Sequence, residues 1–162
     1  MSRVVFMCGP AGAGKTTVAS RLVADEGFER LSVDEEAWNR GPWRSHPIPA
    51  AVAQEIDVEL RARLLALIAI GRDVVLDYSF AAKAVRDDYR ALLAPLGIVP
   101  ETIYFDTPRE VALQRVRNRR GEGPNDVMLS AEVAAAYFDG FEVPTPDEGP
   151  LTVVTSPASG HG

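Results

Sequence analysis

The chain has 162 residues, of which 46% are hydrophobic and 25% charged, and its formal net charge is −6. This size and composition are typical of one soluble globular domain and exclude a mainly disordered chain. The single cysteine excludes an internal disulfide, and no apolar run is long enough for a signal peptide or a membrane span, so we expect a cytoplasmic protein with no membrane partner. The acidic balance disfavours general binding to nucleic acid.

Short apolar runs alternate with helical patterns, which predicts βαβ units and a parallel sheet. We expect one domain over residues 1–155 and a frayed tail over 156–162. Strands are predicted at 3–8, 29–33, 73–76, 102–105 and 151–154, and helices at 15–24, 50–70, 85–96, 107–118 and 130–138. Gly71 should end the second of these helices in the left-handed conformation, while Thr107 and Ser130 should cap the last two.

The segment between the first strand and the first helix, Gly-Pro-Ala-Gly-Ala-Gly-Lys-Thr at 9–16, matches the pattern G-x-x-x-x-G-K-[ST] without a gap. Its glycines allow successive backbone N–H groups to surround a phosphate, and the following helix presents its positive end. Lys15 would contact the β- and γ-phosphates, and the Thr16 hydroxyl would bind Mg²⁺. The residues predicted to bind the nucleotide here are Gly9, Ala11, Gly12, Ala13, Gly14, Lys15, Thr16 and Thr17.

A phosphate-binding loop of this kind occurs in GTPase switches, mechanical ATPases and kinases. A GTPase should carry D-x-x-G, and no Asp in this chain has a Gly three positions further on. A chain of 162 residues leaves little room for the helical lid domain of a mechanical ATPase. A small kinase needs an acceptor-side carboxylate and an arginine-bearing lid, and the sequence offers both. A nucleotide-binding regulator or ATPase without an acceptor is the alternative from another class.

Several segments together resemble the small P-loop kinases of the AAA_33 or zeta-toxin-like group, which includes the kinase domain of polynucleotide kinases. These segments are GPAGAGKTT, LSVDEEAW, DVVLDYSF with Arg86 downstream, QRVRNRRGEGPND and FEVPTPDEG. The resemblance covers about residues 3–154. It implies a three-layer α/β fold with a five-stranded parallel sheet in the order 2-3-1-4-5, helices on both faces and an arginine-bearing lid at about 115–130. It also implies ATP and Mg²⁺ as cofactors, with adenine near residues 155–157.

The resemblance assigns roles to two carboxylates and to the arginines of the lid. Asp34, at the end of the second predicted strand, would accept the proton of the attacked hydroxyl. Asp77, after the third strand, would hold Mg²⁺ or orient the acceptor. Arg115, Arg119 and Arg120 would contact the phosphates on closure, with Arg119 favoured and Asp126 as a closed-state partner. The alternatives are turn or cap roles for the acids and a solvated helix face for the arginines.

The residues predicted to bind the acceptor are Trp38, Arg40, Trp43, Arg44, Asp34, Asp77 and Arg86. Aromatic planes beside arginines could clamp a flat or phosphorylated acceptor, such as a nucleoside, a nucleotide-sugar or an aromatic antibiotic. The alternatives are that the tryptophans anchor a loop to the core and that Arg86 lies on a helix surface. The resulting prediction is an ATP-dependent kinase that phosphorylates a small-molecule hydroxyl, with a 5′-hydroxyl polynucleotide kinase as the alternative.

Overall fold

The computed structural model of the protein describes residues 2–40, 48–121 and 128–155. Five strands in these segments form one parallel sheet in the order β2-β3-β1-β4-β5, which confirms the predicted order. The strands are β1 (Val4–Cys8), β2 (Glu29–Leu31), β3 (Val74–Leu76), β4 (Glu101–Asp106) and β5 (Leu151–Thr155).

Helices connect the strands and cover both faces of the sheet. They are α1 (Lys15–Glu26), α2 (Val33–Asn39), α3 (Ala50–Ala69), α4 (Lys83–Leu93), α5 (Arg109–Arg117) and α6 (Ala131–Asp139). Short 3₁₀ turns follow at Ala94–Leu96 and Pro146–Glu148. None of the helices in these described segments is long and apolar enough to cross a bilayer.

The central strand β1 is buried along its whole length because both of its faces are covered. Val4, Phe6 and Cys8 point into a core shared with α3 and α4. Val5 and Met7 point to the opposite side, into a core shared with α1. Alternation along the strand therefore builds two cores, and the predicted three-layer arrangement is confirmed.

The predicted helix ends are confirmed in two places and wrong in one. Gly71 follows α3 with a φ of 80°, and the Ser130 hydroxyl accepts a hydrogen bond from the backbone N–H of Val133 at the start of α6. Thr107 does not cap α5, because Pro108 occupies the N-cap position. The buried Thr107 hydroxyl instead donates to the carbonyl oxygen of Ala13 at 3.0 Å, which ties the start of α5 to the 9–16 loop.

The second predicted strand, 29–33, ends two residues early. Ser32 leaves the strand with an extended backbone, and its hydroxyl accepts a hydrogen bond from the backbone N–H of Glu35. This cap starts α2, a seven-residue helix that the sequence analysis did not predict. Asp34 therefore lies in the first turn of a helix and not at the end of a strand.

Candidate active site

A cavity of about 720 Å³ opens at the carboxyl edge of the sheet, where β1, β2 and β3 end. One side is the phosphate-loop segment at residues 10–16, and the floor is the segment 77–82 that follows β3. Side chains of α2, α3, α4, α5 and α6 complete the walls. Open parallel sheets bind ligands in crevices at this edge, so the cavity is the candidate active site.

The phosphate loop is held in shape by close contact with α5. Gly12 and Gly14 have φ values of 81° and 94°, a left-handed conformation that glycine adopts without strain. A Cβ atom on Gly12 would lie 2.3 Å from the backbone carbonyl oxygen of Ala112 in α5. The guanidinium of Arg115 donates to the Gly12 carbonyl oxygen at 3.0 Å. The predicted binding residues at positions 11–16 all line the cavity, whereas the buried Gly9 and the exposed Thr17 do not.

Replacement of Gly12 by alanine is expected to destabilise the protein by at least about 2 kcal/mol more than the same change at Gly71. The two glycines have nearly equal φ values, but a Cβ atom on Gly71 would meet nothing within 4 Å. The comparison therefore isolates the clash with Ala112 from the backbone strain. Urea denaturation of the two variants measures the difference, and equal losses of stability would contradict the close packing of the loop on α5.

Lys15 lies at the mouth of the loop, with its ammonium group turned back onto the loop. Its Nζ donates to the carbonyl oxygens of Gly9 at 2.7 Å and Pro10 at 3.1 Å. Burial lowers the pKa of Lys15, while the carboxylates of Asp77 and Asp34 raise it. Both acids thus act electrostatically on this ammonium, and all three side chains line the cavity.

Asp34 reaches the cavity from the first turn of α2. Carboxylates are favoured in this turn because the backbone N–H groups and the helix dipole carry partial positive charge there. The prediction placed Asp34 at a strand end, and the observed helix brings the side chain to the same carboxyl edge of the sheet. Its place in the cavity beside Lys15 agrees with the role of a proton acceptor for a hydroxyl group.

Asp77 is held in place by Arg30, a residue that the sequence analysis did not single out. The Asp77 side chain is 6% exposed, and its Oδ2 accepts hydrogen bonds from Nε and Nη2 of Arg30 at 2.9 and 2.6 Å. Arg30 also donates to Glu35 at 2.8 Å. The pair forms because β2 and β3 are neighbours in the sheet. The signal that could have predicted it was an arginine within a short strand, one βαβ unit before the acid.

The residues predicted to hold Mg²⁺ fit an ion that is bound mainly through phosphate oxygens. Thr16, at the start of α1, and Asp77 both line the cavity, and hydroxyl and carboxylate oxygens suit this ion. In the described segments no group of three or more His, Cys, Asp or Glu side chains could hold a metal. A kinase site does not require such a group, since Mg²⁺ keeps several waters and takes other ligands from the nucleotide.

The arginines predicted for the lid differ in whether they line the cavity. Arg115 and Arg119 line the cavity, and Arg115 already contacts the phosphate loop. Arg120 is exposed and does not line the cavity. Residues 122–127, with Asp126, lie outside the described segments, so the lid itself stays a prediction.

Three polar side chains that sequence reasoning missed also line the cavity, namely those of Asp57, Tyr78 and Tyr89. Asp57 of α3 accepts a hydrogen bond from the hydroxyl of Tyr89 at 2.6 Å and another from Nε of Arg61 at 2.8 Å. The Tyr78 hydroxyl is buried and makes no hydrogen bond of normal geometry with a described residue. Burial raises the pKa of Tyr78 and of Tyr89, so both hydroxyls keep their protons.

A comparison of the chain with known protein families identifies its relatives. Residues 4–144 match the model of AAA_33, a family described as an AAA domain. The chain belongs to the AAA_33 family. The resemblance to small P-loop kinases that the sequence segments indicated is thereby confirmed.

Two relatives of this AAA_33 member are kinases by name. The probable gluconokinase of Schizosaccharomyces pombe is 26% identical over 168 residues, which cover 94% of this chain and 79% of the relative. The shikimate kinase of Halorhodospira halophila is 34% identical over 116 residues, which cover 70% of this chain and 62% of the relative. A solved structure of a candidate kinase from Chloroflexus aurantiacus covers 99% of this chain and 91% of its own, with a TM-score of 0.77 at 17% identity, and shows the shared fold.

In this AAA_33 member Arg86 does not reach the cavity, and its predicted contact with the acceptor is wrong. The side chain is fully buried, and its Nε donates to the carboxylate of Glu148 at 2.9 Å. Its Nη1 donates to the carbonyl oxygen of Phe80 at 2.6 Å. Arg86 therefore belongs to the interior of the fold, where it joins α4 to the segment before β5.

The predicted tryptophan and arginine clamp is also not found on the described side of the cavity. Arg40 forms ion pairs with Glu36 of its own helix and with Glu55 and Glu59 of α3, so it ties α2 to α3. Trp38 is half-buried, and neither it nor Arg40 lines the cavity. The other half of the predicted clamp, Trp43 and Arg44, lies outside the described segments. Of the residues at 155–157 predicted to lie near adenine, Thr155 ends β5 and does not line the cavity, and 156–157 lie outside the described segments.

Proposed function

We propose that this protein transfers the γ-phosphate of ATP to a hydroxyl group of a small-molecule acceptor. The observation that carries the proposal is one cavity that is lined by the phosphate loop, by Lys15 and by Asp34, whose carboxylate acts electrostatically on the Lys15 ammonium. A nucleotide phosphate bound to the loop would face the carboxylate, which is the geometry that phosphoryl transfer requires.

The chain's own residues have distinct tasks in this reaction. The backbone N–H groups of residues 11–16 and the Lys15 ammonium would bind and position the β- and γ-phosphates. Asp34 would accept the proton of the acceptor hydroxyl. The hydroxyl oxygen would at the same time bond to the γ-phosphorus, and the bond from that phosphorus to the β,γ-bridging oxygen would break and release ADP. Arg115 and Arg119 would stabilise the charge that develops on the phosphate oxygens. Mg²⁺ held by Thr16, with Asp77 near it, would neutralise part of that charge.

The dimensions and charge of the protein favour a small acceptor over a nucleic acid. A cavity of about 720 Å³ is within the range of small-molecule sites, which is roughly 300–1,000 Å³. The net charge of −6 disfavours attraction of a polynucleotide. Two kinase-named relatives are consistent with a phosphotransferase that uses an alcohol.

The proposal is tested by incubating the protein with γ-labelled ATP and Mg²⁺ together with sugars, nucleosides, nucleotide-sugars, aromatic alcohols and 5′-hydroxyl oligonucleotides. Transfer of label to at least one small molecule is the expected result. Transfer to the oligonucleotides alone would favour the polynucleotide kinase. Release of phosphate without transfer to any compound would favour an ATPase or regulatory protein and contradict the proposal.

A further inference from the structure

The part of the cavity that is lined by residues 78–82, by helices α3, α4 and α6 and by the residues just after α6, called the compartment below, has mainly apolar walls. Its apolar side chains include Ala53, Phe80, Ala82, Val85, Ala136 and Phe141. Apolar walls bind an apolar body best, since both surfaces leave water together. The compartment therefore favours an acceptor with a hydrocarbon or aromatic frame over one that is polar on all sides.

Asp57 and Tyr78 are polar side chains of this compartment that a ligand could reach. Asp57 is fixed from two directions, by the Tyr89 hydroxyl at 2.6 Å and by the Arg61 guanidinium, which also packs over the Tyr89 ring at 4.4 Å. Tyr78 is 8% exposed and lines the cavity, and its hydroxyl has no hydrogen-bond partner of normal geometry within the described segments. The Tyr78 hydroxyl interacts with the Tyr89 hydroxyl without the geometry of a full hydrogen bond, so a ligand group that bonds to it in good geometry would gain affinity.

The charged side chains near the phosphate loop differ from those in the compartment. The cations that line it within the described segments are Lys15, Arg30, Arg115 and Arg119. Lys15 and Arg115 bond to the phosphate loop, Arg119 acts electrostatically on Lys15, and Arg30 is paired with Asp77 and Glu35. Among the described residues that line the compartment, the one charged side chain is that of Asp57, because its partner Arg61 does not line the cavity.

From these observations we infer that the acceptor is an alcohol with an apolar, ring-sized body whose far end carries a cationic or neutral hydrogen-bonding group, and that Asp57 and Tyr78 bind that end. This inference rests on the proposed function, since it concerns the acceptor of the same reaction. A carboxylate or phosphate at that end would lose its hydration and face the Asp57 carboxylate, which is unfavourable. An ammonium or amide would instead donate a charge-assisted hydrogen bond to Asp57.

Three probes of equal size separate the possibilities: 4-(aminomethyl)benzyl alcohol, 1,4-benzenedimethanol and 4-(hydroxymethyl)benzoate. Each has a primary alcohol on a flat ring, and the opposite substituent is cationic, neutral or anionic. Binding is measured by calorimetry with a non-hydrolysable ATP analogue present, and transfer is measured separately with γ-labelled ATP. We expect the cation to bind tightest and the anion at least about tenfold more weakly than the cation, a difference of ~1.4 kcal/mol.

Two variants and one control assign the selectivity to named residues. Asp57→Asn should abolish the advantage of the cationic over the neutral probe, because the carboxylate charge is lost while the shape is kept. Tyr78→Phe should weaken the cationic and neutral probes by similar factors, and it decides the matter if Asp57→Asn does not fold. Asp25→Asn, which changes an exposed carboxylate on α1, should leave the order of the probes unchanged.

Tighter binding of the anionic probe, absence of binding by all three probes, or an unaltered order in a folded Asp57→Asn variant would overturn the inference. An unaltered affinity for the neutral probe in Tyr78→Phe would overturn the part assigned to Tyr78. The proposed function fails in a different way, through the absence of phosphate transfer to any compound while the expected order of binding is still observed.

Discussion

Replacement of Arg86 by alanine is expected to destabilise the protein by about 3–5 kcal/mol, the usual effect of breaking a buried ion pair. Arg86 is fully buried and Glu148 is 3% exposed, so the variant would leave the Glu148 carboxylate in the interior with Arg90, at 3.2 Å, as its remaining ion-pair partner among the described residues. The Phe80 carbonyl would lose its 2.6 Å hydrogen bond as well. Urea denaturation at neutral pH measures the loss.

The matched control is Arg21→Ala on α1, where the arginine is exposed and a change within about 0.5 kcal/mol is expected. A loss of less than 1 kcal/mol for Arg86→Ala, about the value of an exposed pair, would show that the buried pair does not stabilise the fold.

The stability difference should also depend on pH. Burial raises the pKa of Glu148, but hydrogen bonds from Arg86, the Thr145 backbone and Arg90 outweigh it and lower the pKa to about 2 from the usual 4.5. A carboxyl with a lowered pKa contributes its full stability above 4.5 and loses it as the pH falls toward 2. In the variant, protonation of Glu148 at low pH would remove the charge that the loss of Arg86 leaves unpaired. The difference between the two proteins should therefore shrink over this range, and a constant difference would contradict the assignment.

The Arg86 pair also supports the floor of the active site. Phe80 has a φ of 51°, an uncommon conformation for a residue with a large side chain. Its carbonyl oxygen accepts from Arg86, and the carbonyl oxygen of the preceding Ser79 accepts from the backbone N–H of Gly9 at 3.0 Å. The phosphate loop and the 77–82 segment are thus joined through a strained turn that Arg86 holds. Arg86 is in this sense a positioning residue for a site that it does not line.

Replacement of Lys15 by alanine is expected to lower kcat/KM for phosphate transfer at least about a hundredfold. The ammonium lies at the mouth of the loop among carbonyl oxygens and is partly buried. In this setting its positive charge attracts the phosphate oxygens effectively. Its hydrogen bonds are to the carbonyl oxygens of Gly9 and Pro10, so the fold should survive the change. The measurement is steady-state transfer from labelled ATP, with urea denaturation to verify folding.

The only other lysine in the chain provides the control. Lys83 lies on α4, half-exposed, and pairs with Asp87 at 2.7 Å. Lys83→Ala should leave the rate of transfer unaltered. A Lys15→Ala variant that keeps its rate within tenfold of the original protein would remove Lys15 from the mechanism.

The phosphate loop and the sheet order could be predicted because their signals are local or belong to a familiar arrangement. The pattern at 9–16 specifies a strand-to-helix turn whose glycines meet the conformational demands seen at Gly12 and Gly14. The apolar strands alternate with helices, which dictates parallel pairing. Helix α2 was missed because seven residues give too little periodicity, although the Ser32 cap and the acids after it are a recognisable start.

The acceptor end and the role of Arg86 could not be predicted because they depend on contacts between distant residues. Arg86 is bound to Glu148, 62 positions further along the chain, and nothing near Arg86 in the sequence indicates that it is buried. Asp57 accepts a hydrogen bond from Tyr89, which lies on a different helix 32 positions further along the chain. The sequence around Asp57 alone would indicate a solvent-facing partner of Arg61 on the same helix. The arginine and tryptophan segment after Asp34 attracted the prediction instead, because its composition is unusual.

We propose that Asp34 acts on the acceptor hydroxyl while the loop at 9–16 holds the nucleotide. Single-turnover transfer from γ-labelled ATP, together with the Kd for ATP, tests this in Asp34→Asn against Asp25→Asn. We expect Asp34→Asn to bind ATP within about threefold of the original protein, a difference of less than 1 kcal/mol, but to transfer phosphate at least about a hundredfold more slowly. Asp25→Asn should match the original protein in both. An Asp34→Asn variant that transfers phosphate at the original rate would contradict the account.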